Sequence, residues 1–341
     1  MIRQSLSAAS FNSVASAEST QSVIETKNAK KEIDELSGKK TLNQYVILKK
    51  LGQGSFAKVK LVHVQGYPDE LYAMKVVKKD LKKKMVGPPR RGPAGAVPAK
   101  NLPEILEFVK GGSCYEEGQT PMNEDEARNC FRDVIVGISY MHKNNIVHHD
   151  IKPDNLLRNE NGNVKISDFG VSAYYDDMTT RIKDVRGTPA FIPPEAVIIP
   201  PLPEGYLPSL ADVYALGASL FMFIYGHTPY MADTPFLVYQ QAINKPLPFD
   251  TDENKDITSK ISPELRNLLE GTLEKDPTKR ITIETIRQHP WLTCNGTLPL
   301  PDELEAVRVT ESDLETAFTP VIPFATLNLE QEQKKQDKKN G

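Results

Sequence analysis

The sequence is poor in several features, and each shortage removes a class of protein. It has three cysteines in 341 residues, Cys114, Cys130 and Cys294, far apart and with no Cys-x-x-Cys. Neither a disulfide framework nor a cysteine-based zinc site is expected, and a reducing compartment, the cytoplasm, fits best. There is no run of 18 apolar residues, so no membrane span is expected. The most apolar stretch, Leu216 to Tyr225, reads as a buried helix. Basic charge is not in excess either: 42 Lys and Arg stand against 45 Asp and Glu, a net charge of -3. A general nucleic-acid binder would be basic, so neither nucleic acid nor membrane is expected as a partner. The N-terminus lacks the apolar core of a secretory signal, and its few transit-like features reduce to Arg3 and the absence of acids over 17 residues.

Proline is plentiful, with 26 residues, which points to substantial loops. The length allows about two domains at roughly 150 residues each. Residues 1–40 are dotted with serines from Ser5 to Ser22 and read as a disordered tail. From Tyr45 the pattern becomes strand-like: Tyr45–Leu51, Lys58–Val64 and Leu71–Val77 are apolar or alternating runs separated by turn residues. Residues 78–103 lose all periodicity and are rich in Lys, Pro, Gly and Arg. Asn123, followed by Glu124, Asp125 and Glu126, marks a helix start, and Phe131, Val134, Ile135, Ile138 and Met141 keep helical spacing to about His142. Short strands are expected near Ile146–His148 and Val164–Ser167, and helices over 209–226, 234–244, 262–274 and 282–288. The outline is α+β: a small β-rich lobe, then a larger helical one. Residues 325–341 read as a disordered end.

Four motifs carry chemistry. Leu51-Gly52-Gln53-Gly54-Ser55-Phe56-Ala57-Lys58-Val59 is a Gly-rich loop. Gly-x-Gly alone is usually just a turn, but a strand follows here, where a dinucleotide fold would have a helix. That suits a hairpin whose backbone N–H groups approach phosphates. Lys75, on the third strand, would be an ordinary solvated lysine in isolation, yet one hairpin after such a loop it suits α/β-phosphates. His148-His149-Asp150-Ile151-Lys152-Pro153-Asp154-Asn155 places a base, a cation and a metal ligand in one loop: Asp150 for a hydroxyl proton, Lys152 for a transferring phosphoryl, Asn155 for Mg²⁺. Asp168-Phe169-Gly170 would add a second metal ligand, Asp168.

With these motifs in order, the chain resembles the eukaryotic protein kinases from about Tyr45 to Trp291. The resemblance implies a bilobal kinase domain over 45–292, with an N-lobe at 45–106, a C-lobe at 110–292, one nucleotide cleft, and a C-terminal tail at 293–341. It implies ATP and Mg²⁺ as cofactors. It makes Glu107 and Val109 hinge residues bonding adenine through their backbone, Leu106 the residue behind the pocket, and Leu157 the floor under adenine. Gly187-Thr188-Pro189-Ala190-Phe191-Ile192-Pro193-Pro194-Glu195 looks like the end of an activation segment, with Pro193 where the family usually has Ala. Glu195 would pair with Arg280, and Asp212 would anchor the catalytic-loop backbone; both roles are structural. Lys152 with Gly187-Thr188 implies serine/threonine specificity. The nearest resemblance is to the calcium/calmodulin-dependent protein kinase kinases and their fungal relatives. It rests on the insert Pro88-Pro89-Arg90-Arg91-Gly92-Pro93, on Gly187–Phe191, and on the segment from Leu298 to Thr319. It implies protein substrates that are themselves kinases of the AMP-activated or sucrose-nonfermenting type.

Three departures qualify this. His149 stands where the family usually has Arg, and a mostly neutral histidine cannot clamp a phosphate bidentately. Weak dependence on activation-loop phosphorylation is expected, although Thr179, Thr180 and Thr188 are present. Residues 320–341 lack the basic amphipathic pattern of a calmodulin site, so calmodulin is not an expected partner. Finally, a helix with an acid for Lys75 and two further strands would need roughly 35–40 residues between Lys75 and Glu107, more than are present, and Pro103 should break the last strand. Glu104 is the only acid near that position. The small lobe is therefore expected to lack its helix and part of its sheet, and two readings stay open: an active serine/threonine kinase with a segment lost through splicing or gene modelling, or a catalytically impaired kinase-like interaction protein.

Overall fold

The computed structural model describes residues 30–34, 37–53, 57–77 and 104–301. The serine-rich segment up to residue 29, Gly54, Ser55 and Phe56 of the Gly-rich loop, the Pro/Arg/Gly insert, and the chain from residue 302 onward, including the calmodulin question, lie outside the described residues. The described chain divides between Phe108 and Val109 into two units.

The first unit is a six-stranded antiparallel sheet in sequential order: β1 (Lys31–Ile33), β2 (Lys40–Leu42), β3 (Tyr45–Gln53), β4 (Ala57–Val64), β5 (Tyr67–Val77) and β6 (Glu104–Glu107). Side chains alternate faces along a strand, so Tyr72, Met74 and Val76 of β5 share one face. There they join Leu42, Val62 and Ile105 in a small core. Lys75 lies on the opposite face, with Val59 and Glu104 as its cross-strand partners.

Two expectations need correcting here. The tail expected to reach residue 40 is ordered from Lys30 to Asp34 and from Ser37, because β1 pairs with β2. A turn closes that hairpin: the Ser37 N–H donates to Asp34 Oδ2 at 2.8 Å, Gly38 has φ +66°, and Gln65 Nε2 donates to Asp34 Oδ1 at 2.9 Å. The last contact comes from 31 residues away, which composition cannot reveal. Pro103, expected to break the last strand, instead precedes it: β6 starts at Glu104 and pairs along β5. A proline at a strand's threshold removes no donor from the ladder.

The second unit is mainly helical. Its longest helix, α1 (Glu124–Lys143), begins with a capping box: the Glu126 N–H donates to Asn123 Oδ1 at 3.0 Å, and Asn123 N–H donates to Glu126 Oε2 at 3.1 Å. Then come β7 (Ile146–Val147), β8 (Leu156–Arg158), β9 (Val164–Ile166), β10 (Ala173–Tyr174), α2 (Pro194–Val197), α3 (Pro208–Tyr225), α4 (Pro235–Asn244), α5 (Lys255–Thr258), α6 (Pro263–Thr272), α7 (Ile283–Arg287) and α8 (Pro290–Thr293). Helix α3 is long and apolar enough to cross a membrane, but 83% of it is buried in this unit's core. Gly217 allows α3 to approach α6: a Cβ there would lie 2.5 Å from Thr272 Oγ1. Five helices open on proline, whose fixed φ and missing N–H suit a first helical turn. Much of the proline excess therefore starts helices as well as filling loops.

Candidate active site

The catalytic-loop motif sits between β7 and β8. Asp212 near the start of α3 holds its backbone: the carboxylate accepts the N–H groups of His148 and His149, each at 2.9 Å, and bonds His142 Nε2 at 2.9 Å. Asp212 is fully buried, and burial alone would raise its pKa. The His142 hydrogen bond and the charges of His142, His148 and His149 outweigh burial and hold it below the ordinary carboxylate range. The anchored loop turns at His149, which has φ +68°, a strained setting for a residue with a Cβ.

Beyond that turn the predicted groups converge. Asp150 Oδ1 accepts a hydrogen bond from Thr188 Oγ1 at 2.7 Å, and Lys152 Nζ donates to the same Thr188 oxygen at 2.7 Å. Lys152 Nζ also lies 3.1 Å from Asp150 Oδ2. Asn155 Nδ2 donates to the Asp150 carbonyl at 2.7 Å and to Asp150 Oδ2 at 3.2 Å. Asp150, Lys152 and Asn155 thus form one network with Thr188, which the resemblance had tied to serine/threonine specificity. Gly187 brings Thr188 in: its φ is +101°, and a Cβ would lie 2.4 Å from the His149 carbonyl oxygen, so only glycine fits.

Strands β8 and β9 pair antiparallel, Leu156 opposite Ile166. Asn155, just before β8, and Asp168, just after β9, therefore emerge at the same end of the ribbon. The Ser167 N–H donates to the Asn155 carbonyl at 2.8 Å. Asp168 has φ +60°, and its Oδ1 accepts the Gly170 N–H at 3.2 Å. Leu157 lies on β8 and bridges to Ser113. Val109 opens the helical unit.

The remaining predicted residues belong to the sheet. Leu51, Gly52 and Gln53 end β3, and Ala57, Lys58 and Val59 begin β4, with Gly52 opposite Val59 and Gln53 opposite Lys58. That is the expected hairpin. Lys75 is buried on β5, and Glu107 ends β6 opposite Tyr72.

Farther out, Arg280 grips Glu195 bidentately at 2.5 and 2.9 Å, both side chains almost fully buried. Arg280 also donates to the Glu274 and Leu210 carbonyls, so its fork is satisfied where burial would make an unpaired charge costly.

Sequence reasoning missed two groups. Tyr175 bonds His149 Nε2 through its hydroxyl at 2.8 Å. Burial pushes the His149 pKa down, and although Asp212 opposes this, Arg186 and the neighbouring histidines add to it, leaving about 4. The ring is therefore neutral at pH 7, in line with the expectation for this position. The second group is Cys114 with Cys130, two buried free thiols close enough to shift each other's pKa in opposite directions. Arg158 Nη2 donates to Cys130 Sγ at 2.6 Å. The neighbouring Cys114 and Arg158 hold the Cys130 pKa below the ordinary thiol value against burial. Their distance in sequence hid this contact, although all three cysteines are free thiols as the composition suggested. No spacing in the linear sequence marks either pair.

The sequence model of the protein kinase domain matches residues 98–292, more than half the chain, and the chain belongs to that family. It is similar to a calcium/calmodulin-dependent protein kinase kinase of Caenorhabditis elegans, at 32% identity over 337 positions, covering 84% of this chain and 60% of that protein. It is similar to the serine/threonine-protein kinase GRIK1 of Arabidopsis thaliana, at 34% over 283 positions, covering 75% of this chain and 68% of that one. A probable serine/threonine-protein kinase of Dictyostelium discoideum is 34% identical over 309 positions, 82% of this chain but 42% of that protein. The chain thus spans less than two thirds of the C. elegans and Dictyostelium relatives. The 337-position alignment draws on only 84% of this chain's 341 residues, so the C. elegans protein has positions with no counterpart here.

Proposed function

We propose that this chain transfers the γ-phosphoryl group of ATP to a serine or threonine hydroxyl of a protein substrate. The network of Asp150, Lys152, Asn155 and Thr188 carries this reading. Asp150 accepts the hydroxyl proton as the oxygen attacks phosphorus, and ADP leaves with the electrons of the broken O–P bond. Lys152 Nζ is positioned beside the same carboxylate and offsets charge on the phosphoryl oxygens. The oxygens of Asn155 and Asp168 are hard donors at one end of a ribbon, which fits Mg²⁺, an ion held through one or two carboxylates and phosphate oxygens. Mg²⁺ would supply charge neutralisation on the phosphates. The kinase resemblance would assign the α/β-phosphates to Lys75 and the glycine-rich stretch, and adenine to Glu107, Val109 and Leu157. The similarity to a kinase named for phosphorylating a kinase supports a downstream kinase as substrate, of the AMP-activated or sucrose-nonfermenting type, and the scarcity of cysteine supports a cytoplasmic setting.

A second reading, an impaired kinase-like interaction protein, rests on the short interval between Lys75 and Glu107: 31 residues, 76–106, where a helix and two strands would need roughly 35–40. Radiolabelled ATP transfer by the purified full chain to an activation-loop peptide decides between them, with Asp150→Asn as control. Transfer that the control loses by 100-fold or more establishes the kinase. Nucleotide-independent binding with no transfer establishes the second reading.

A further inference from the structure

Resting on the kinase reading, we propose that His149 and Tyr175 form an uncharged clamp that holds the start of the activation segment on the catalytic loop. In this clamp the two are positioning residues. His149 occupies the position from which an arginine would otherwise bind a phosphate, and its ring is already engaged. Nε2 lies 2.8 Å from the Tyr175 hydroxyl, and the ring centroids are 5.9 Å apart at 58°. Each partner is fixed independently. His149 is tied to Asp212 through its N–H, its side chain is buried, and its carbonyl faces Gly187. Tyr175 follows β10, which pairs with β7, and its N–H donates to the Asn145 carbonyl at 2.9 Å.

The clamp therefore joins both ends of the catalytic loop's surroundings. One partner is next in sequence to Asp150. The other begins the stretch that returns thirteen residues later as Thr188, which Asp150 and Lys152 hold. An uncharged ring can make this contact: with the proton on Nδ1, Nε2 accepts the tyrosine O–H, and no phosphate is needed. Arg186, the nearby cation of the segment, would be the group left to meet any phosphate, and the clamp makes that meeting unnecessary.

Hydrogen exchange on the full chain tests this without relying on activity. Tyr175→Phe removes only the hydroxyl, and His149→Asn removes the ring while suiting the positive φ. Each single change is expected to raise amide exchange over residues 172–188 by tenfold or more, with α1 and α3 amides unmoved as a check on folding. The double change should add nothing to the larger single effect. In the transfer assay the same variants should lower kcat about tenfold with KM for ATP unchanged, and phosphatase treatment should leave wild-type turnover intact. Unchanged exchange in both singles, or additive effects in the double, overturns the clamp. Altered exchange in a chain that transfers no phosphoryl group leaves the clamp standing and overturns the kinase reading instead.

Discussion

In the helical unit, apolar residues from α1, α3, α6 and α8 close around Phe131, Leu216, Phe221, Leu268 and Trp291, all at most 2% exposed. Charged groups are buried there too, and each is matched: Arg280 with Glu195, Asp212 with two backbone N–H groups and a histidine. Among the described residues of the sheet unit, Leu42, Val62 and Met74 form a small buried cluster with five partly buried neighbours, and Val46, Ala57 and Leu61 are buried besides. A thick core holds a polar site rigid because any shift breaks many contacts at once. A thin core leaves stability to strand pairing, which is marginal without a packed face. The helical unit thus presents a preorganised site, whereas the described strands hold Lys75 and the paired ends of β3 and β4 on a smaller core.

The contrast can be broken most sharply at the buried ion pair. Arg280→Met leaves Glu195 buried and uncompensated, and should cost about 3–5 kcal/mol. Trp291 is the single tryptophan and is buried in the helical unit, so its fluorescence in urea reads that unit directly. Met74→Ala, at about 2–5 kcal/mol, should accelerate amide exchange across β4–β6 and leave the Trp291 transition in place. A Trp291 midpoint that falls as far as in Arg280→Met would show that the two units unfold as one.

Acid sharpens the comparison next. The His149 pKa is about 4 folded and about 6.5 unfolded. Above pH 6.5 the ring is neutral in both states and adds no pH dependence. Between 6.5 and 4 the unfolded chain binds the proton and the folded chain does not, so stability falls as pH falls, by about 3 kcal/mol in all. Asp212 extends the loss. Its lowered folded pKa means its contribution is present above its unfolded value and disappears as pH falls through the folded one. The Trp291 urea midpoint should slide from pH 6.5 to 4, and His149→Asn should flatten that slope. The smallest effect expected is at the α1 cap: Asn123→Ala should cost about 1 kcal/mol, read by the same fluorescence.

Much of this was legible in sequence for reasons that are local. The α1 cap, the spacing of Phe131 to Met141, and the strand after the glycines depend on residues a few positions apart. The catalytic loop is similarly compact, with Asp150, Lys152 and Asn155 within six residues, so their grouping needed no tertiary knowledge. Thr188 was visible as a residue but not as the link between Asp150 and Lys152. The first strands and the start of β6 were misjudged because their order depends on neighbours, β3 with Gln65 and β5, that composition does not weigh.

By itself the sequence determined the family, the order of the two units, and the residue types available for phosphoryl transfer. These follow from short-range spacing, which survives in one dimension. Only the tertiary structure decided that His149 meets Tyr175, that Cys114 meets Cys130, and that Asp212 meets the backbone of two histidines 63 and 64 positions away. Each of these contacts forms because separate elements pack against a shared core, and burial then sets the charge state of what it encloses.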